Sequence, residues 1–444
     1  MPSLPMPSVR ILPAYAVAQF SLKFGIKRAD QARRTPWHVL KVNSGFRSYF
    51  IGSVTSDFGT WLANSAQVVL AYQLAHSVLT VGFVTVAQFT SPLLLAPWAG
   101  VAADKFGGRR TLLGTQVISA VVAAALAGLD FGGLLNAWVL VAGAMITGLA
   151  FTFALPARNV TVQRLVPADK LKPAYAMDTV SYNLGRATAP LLTMIMVLVG
   201  VNFAWAFAAN AASFVAFGVI LWRVRLYGNA ETERRRSRIR DGFLIARGDG
   251  HIMILLLMVA AVTIADDPIL VLGPALARQL HASPAWSGWF IAALGAGTVF
   301  GSFRRSKHQP TLRLAATALA SLALCMLVFV FAPSIWIAAA AALGAGASCL
   351  VANSVTRSVL ANRTAPEQTA AVMAVWAIAW AGSKPFASLV DGWLGSSIGP
   401  QWTGLLLATP ALLPIVVLMA APSIWLARSH DSLSGAAVTA ASGS

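Results

Sequence analysis

Charge is what this 444-residue sequence has least of. Only 11% of its residues are Asp, Glu, Lys or Arg, against about 25% in an ordinary soluble domain. An ordinary water-soluble globular chain is thereby excluded. Acids are the scarcer sign, with 15 Asp and Glu against 33 Lys and Arg and a formal net charge of +18. There are two cysteines, Cys325 and Cys349, both inside apolar runs. They read as small packing residues, not as a disulfide framework. The six His are scattered, so no metal site is expected. No phosphate-binding loop is present, which argues against ATP as a driver, and no nucleophile–base constellation points to an enzyme. The first 45 residues hold no uninterrupted apolar core and carry Lys and Arg throughout, so they are not read as a signal peptide.

What the sequence has is apolar length: 57% of it is hydrophobic. A membrane span needs roughly 20 apolar residues. Gly, Pro and charge cut the chain into twelve such runs: Tyr49–Tyr72, Val78–Ala102, Thr111–Leu129, Leu134–Leu155, Ala176–Val199, Asn202–Trp222, Ile252–Leu276, Ser287–Phe303, Leu312–Phe331, Ser334–Val355, Ala371–Leu394 and Trp402–Leu426. With both termini on the cytoplasmic side, 30 of the 33 Lys and Arg fall on that side. That is the distribution by which membrane proteins set their orientation, and it accounts for the positive charge without nucleic acid.

The expected architecture is an all-α membrane protein of twelve transmembrane helices. Residues 1–45 form a basic N-terminal segment, expected to be poorly ordered, with an interfacial stretch around Ile11–Ile26 as the alternative. Residues 46–222 and 251–427 form two six-helix bundles, 223–250 a charged cytoplasmic linker and 428–444 a tail. The halves are weakly self-similar. Ala157-Arg158-Asn159-Val160-Thr161 matches Ala352-Asn353-Ser354-Val355-Thr356, and Gly185-Arg186 matches Gly382-Ser383-Lys384, at offsets near 195 to 201 residues. Repeated halves are common among secondary transporters.

The most distinctive stretch is Gly100-Val101-Ala102-Ala103-Asp104-Lys105-Phe106-Gly107-Gly108-Arg109-Arg110, a charged turn between the second and third runs. It resembles the signature between helices 2 and 3 of the major facilitator superfamily. With Phe46-Arg47-Ser48-Tyr49-Phe50, Asn159 through Leu165-Val166-Pro167, and Asn183-Leu184-Gly185-Arg186, the order of segments is most similar to the enterobactin-exporter and macrolide-efflux branch, that of the transmembrane secretion effectors. The resemblance covers about Phe46 to Ala427 and implies the major facilitator fold and export driven by an ion gradient, usually of protons. It also implies that Gly100, Asp104, Lys105, Gly108, Arg109 and Arg110 form a conformational latch, with Asp104 against helix 11 when the protein is closed to the inside. The fifth run keeps Gly185 and Pro190 of a glycine-rich antiporter pattern but has Ala189, Thr193 and Met194 where that pattern has Gly.

Ionisable residues inside spans are costly, at about 2.5–3.5 kcal/mol on insertion scales, and usually face a cavity and a partner. Asp57 and Arg186 lie at similar depth, roughly 15 Å into their spans, and are expected to pair. Asp266 or Asp267 is the expected titrating carboxyl, near Lys384. Burial favours a protonated carboxyl and a nearby cation the ionised one. A site whose cation moves away between two states therefore takes up and releases a proton. The alternative is fixed ion pairs that hold the halves together. Adjacent Asp266 and Asp267 point about 100° apart, so only one is expected to face the cavity. Asp178 is expected near the inner surface with a loop Arg, and Asp391 and Asp130 at the membrane interface. Trp61, Asn64, Gln67, Gln88, Tyr182, Asn183, Trp376 and Trp380 are the candidate walls of a cavity for a bulky amphipathic ligand. Packing is the alternative role for each of them.

These readings predict a multi-pass inner-membrane transporter, not an enzyme, using the proton gradient in place of a cofactor. A monomer is expected, with a small organic molecule and the bilayer as partners. Proton-symport import, or a non-transporting sensor or assembly protein on the same fold, are the alternatives.

Overall fold

A computed structural model describes residues 36–167, 170–226, 239–305, 310–364, 366–414 and 416. Among them the chain is helical throughout, with no strand. Twelve helices follow the twelve apolar runs: α1 (Ser44–Ala75), α2 (Val78–Phe106), α3 (Gly108–Phe131), α4 (Ala137–Gln163), α5 (Leu171–Val199), α6 (Ala204–Arg223), α7 (Gly250–Asp266), α8 (Ser287–Arg305), α9 (Leu312–Val330), α10 (Ile335–Arg363), α11 (Pro366–Ser397) and α12 (Pro400–Ala408). Eight of them, α2 to α7 with α9 and α10, are long and apolar enough to cross a membrane. Long α1 and α11 carry Asp57, Lys384 and Asp391, which lowers their apolarity. The expected span Trp402–Leu426 is described only over its first part, as α12 and the turn Thr409–Leu412; its remainder, residues 1–35 and most of the linker lie outside the described residues.

Local chemistry sets the helix ends. Asn43 caps α1 by accepting from the Phe46 N–H at 2.8 Å, and its amide donates to Leu165 O at 2.6 Å. Asn136, Asp249, Thr311 and Ser334 cap α4, α7, α9 and α10 in the same way. Gly107 turns α2 into α3 at φ +82°, a conformation that costs a side chain dearly. The seventh run departs from expectation. It is not one helix over Ile252–Leu276 but α7 followed by the short helices Pro268–Val271 and Gly273–Gln279. Pro268 and Pro274 lack the N–H that would continue the hydrogen-bond ladder.

Packing repeats with a shift of six helices. α1 packs on α5 as α7 packs on α11; α2 on α4 as α8 on α10; α3 on α4 and α6 as α9 on α10 and α12. The two groups meet chiefly through α2 on α11 and α5 on α8, a pair of contacts that the same shift exchanges. We call the end carrying the Gly107 turn the basic end. The closest backbone approaches between the groups lie from mid-helix to the opposite end. A Cβ on Gly82 would sit 2.7 Å from Ser388 O, one on Gly288 2.6 Å from Pro190 O, and one on Gly295 2.7 Å from the Ala187 Cα. At the basic end a Cβ on Gly100 or Gly107 would meet nothing within 4 Å. The glycines thus let the groups close together from mid-helix to the opposite end. Met194, too large for the expected glycine position, is accommodated because Gly288 supplies the space from α8.

Candidate functional site

Two buried charge clusters sit on either side of the contact between the groups. In the first, Asp57 on α1 is 7% exposed. It accepts from Ser181 Oγ at 2.5 Å and Ser53 Oγ at 3.3 Å and pairs with the Arg158 guanidinium at 3.1 Å. Arg158 also lies 4.0 Å from Asp178, which accepts from the Tyr49 hydroxyl at 3.4 Å. Asp178 therefore has an Arg partner, but one on helix α4 and not on the loop expected for it.

The expected Asp57–Arg186 pair is not the one formed. A Cβ on Gly185 would lie 2.9 Å from the Asp57 carbonyl, so Gly185 holds α5 against α1 at that turn. The next residue, Arg186, points about 100° away and reaches α7, where it lies 3.8 Å from Asp266. This ion pair bridges the two groups, with side chains only 16% and 8% exposed. Asp266 also accepts from the Cys349 thiol at 3.6 Å.

The second cluster surrounds Asp267. Lys384 lies 3.1 Å from it and Ser388 donates to its other oxygen. Asp266 and Asp267 do diverge, but both are engaged: one faces α5, the other α11. Asp391, expected at the interface, is 0% exposed beside Asp267. It lies on the same face of α11 as Lys384 and Ser388, at intervals of seven and three residues, and that spacing was the signal for it. Arg158 was likewise assigned to a loop because the fourth run was ended at Leu155; α4 continues through Pro156 to Gln163. The polar pairs Ser53/Asp57 and Asp178/Ser181, at helical spacing on α1 and α5, pointed to a buried cation between them.

The aromatic candidates divide. Trp61 packs edge-on against Tyr182 at 5.5 Å, and Arg186 lies over the Trp61 ring at 5.6 Å. Trp376 and Trp380 stack in parallel, 6.3 Å and 4° apart, with Arg357 of α10 over Trp376 at 5.2 Å. Trp380 is 38% exposed on the face of α11 that leads to Lys384. The buried Nε1 atoms of Trp61 and Trp376 and the Oδ1 of Asn353 have no partner among the described residues, which leaves polar groups for a ligand. Asn183 accepts from Thr298 across the groups at 3.4 Å. Gln67 is corrected from wall to packing: it is 5% exposed and donates to Leu140 O at 3.1 Å. Asn64 is half-buried on α1.

The signature turn ties one group together at its basic end. Gly108 packs with a would-be Cβ 2.8 Å from Ala157 O, and Arg109 donates to Trp222 O at the end of α6. Lys105 lies over Phe106. With Arg110 and Arg164, Arg109 lines a cavity of about 410 Å³.

A bundle of apolar helices with ionisable residues paired in its interior is the build of a multi-pass membrane protein. The match to the transmembrane secretion effector family spans residues 34–439. The chain belongs to that family, within the major facilitator superfamily. It is 26% identical over 271 residues to MdtD of Cronobacter sakazakii, which carries the name multidrug resistance protein. That match covers 61% of this chain and 50% of the relative, so the matched part of this chain spans about half the length of the protein it resembles. Among solved structures, the nucleoside transporter NupG superposes with a TM-score of 0.71 at 12% identity, over 85% of this chain and 99% of that one. A D-xylose–proton symporter does so with 0.66 at 15%, over 84% and 96%. Both are likenesses of fold.

Proposed function

We propose that this protein is a secondary active transporter that exports a small organic compound in exchange for protons, by alternating access between two six-helix halves. The twelve helices span the membrane with both termini cytoplasmic, residues 46–222 and 251–427 forming the halves and 223–250 the linker. The basic end is the cytoplasmic one, and the opposite end is where the glycines bring the halves together. The observation that carries the reading is the Arg186–Asp266 pair between halves beside the Asp267–Lys384 pair. A rocking motion separates the first and alters the surroundings of the second, which is what a gradient-driven carrier requires of its charges.

The aromatic walls around Trp61, Tyr182, Trp376 and Trp380 suit a bulky, partly aromatic compound. The multidrug name of the relative supports export as the direction. The signature turn gates the motion and does not touch substrate, with Asp104 meeting helix 11 in the state closed to the cytoplasm. No bound cofactor or nucleic acid has a part in this reading, and the monomer is the working unit. The test is pH-driven efflux with Asp57→Asn, Asp266→Asn and Asp267→Asn. At least one of the α7 substitutions is expected to abolish it; intact efflux in all three contradicts the reading.

A further inference from the structure

Asp391 has no role in the reading above, yet its surroundings are specific. It shares one face of α11 with Lys384 and Ser388, and both of these are engaged with Asp267. Asp391 lies one turn along that face from Ser388, on the side of α11 that holds the Asp267 carboxyl. Neither of its oxygens has a donor among the described residues. Both side chains are 0% exposed. A buried carboxyl that receives no donor is least costly when it is neutral, with a proton of its own.

Counting charges leads to the same point. The ionisable groups joined in this core are Lys384 on the same helix, Asp266 and Asp267 from the α7 side, and Arg186 from α5, which pairs with Asp266. α2 meets this stretch of α11 with Leu79 and Gly82, which carry no charge. Two cations therefore face three carboxyls, and one proton makes the set neutral. An unmatched charge is the costly state at such depth.

One helical turn beyond Asp391, Gly395 and Ser396 line a cavity of about 380 Å³ at the end opposite the basic one, together with Tyr72, His76, Arg278 and Gln279.

We propose that Asp391 is the proton-loading carboxyl of the transporter: it takes a proton from the cavity at the opposite end, shares it with Asp267, and passes it to Asp267 when the Lys384 contact is broken. The O–H bond on Asp391 breaks as one forms on Asp267, and Asp391 is left as a carboxylate ready to reload. This rests on the proposed proton coupling.

The test is infrared spectroscopy of the full chain in lipid at neutral pH. The wild type is expected to show the C=O stretch of a buried, protonated carboxyl. Asp391→Asn, which preserves shape and neutrality, is expected to remove that band and keep the melting temperature. Asp267→Asn is expected to remove it too, because Asp391 then ionises to balance Lys384. Asp391→Glu guards against a folding failure and is expected to keep the band at a shifted frequency. No band in the wild type, or an unchanged band in Asp391→Asn or Asp391→Glu, overturns the proposal. The infrared result does not depend on flux. A band that behaves as stated in a protein without proton-driven transport leaves the proton on Asp391 and removes the proposed function instead.

Discussion

Gly82 is where the contact between the halves is most open to a one-atom test. Its would-be Cβ lies 2.7 Å from Ser388 O and 3.2 Å from the Gly392 Cα, all of it backbone. Ordinary contact is at about 3.5 Å or more, so Gly82→Ala forces α2 and α11 apart by about 1 Å at the end opposite the basic one. Overpacking of this kind costs about 1–3 kcal/mol. Because the strain exists only while that end is closed, it shifts the equilibrium toward opening there by about 5- to 150-fold. The assay is labelling by a membrane-impermeant maleimide, in a background with Cys325→Ser and Cys349→Ser. Val78→Cys reports on the opposite end, where the side chain is 6% exposed and packs on Gly395. Ala377→Cys reports from an exposed position roughly a third of the way along α11 from the basic end. Gly82→Ala is expected to raise labelling at the first and lower it at the second. Gly100→Ala, whose added Cβ meets nothing within 4 Å, is expected not to raise labelling at position 78. A folded Gly82→Ala protein with both rates unchanged would refute the reasoning, because a contact that can be overfilled without effect is not one that opens and closes.

Two further outcomes are expected. Arg158→Gln leaves Asp57 and Asp178 without their cation, a loss of about 3–5 kcal/mol for a buried pair. Its melting temperature in detergent is therefore expected to fall further than that of the double variant Asp57→Asn with Arg158→Gln, and equal falls would deny the pairing. Trp380→Ala removes the exposed half of the indole stack. It is expected to raise the half-saturating concentration of a transported aromatic compound about tenfold or more, taking base-like stacking at about 1–3 kcal/mol as the guide, with little change for a small aliphatic one. An equal effect on both would assign Trp380 to packing.

The helices were largely legible and their ends less so, because apolar length, Gly and Pro act locally and need no knowledge of neighbours. Gly107, Asn43 and Asn136 do in the structure what their residue types favour. The charges inside the spans were legible as a set and not as partners. Depth along a helix follows from counting residues, but direction depends on which face packs where. Gly185 decides that Arg186 turns to α7, and nothing in a single sequence shows that Gly185 backs onto Asp57. Arg158 was hidden by a different cause. Hydropathy ends a span where apolar residues stop, whereas α4 continues as a polar helix to Gln163. Asp391 was misplaced for the converse reason, since nearness to a helix end reads as exposure although the neighbouring half covers it.

The central claim is that proton movement and solute movement share one pair of buried charges. The direct measurement is solute accumulation in liposomes containing the full chain, driven by an imposed pH gradient, over a panel of aromatic and amphipathic compounds, with Asp267→Asn alongside. The account predicts that at least one compound accumulates against its gradient, that collapsing the pH gradient stops it, and that Asp267→Asn loses the drive while still exchanging compound with compound. Gradient-driven accumulation of equal size in Asp267→Asn, or none with any compound in the wild type, would contradict it.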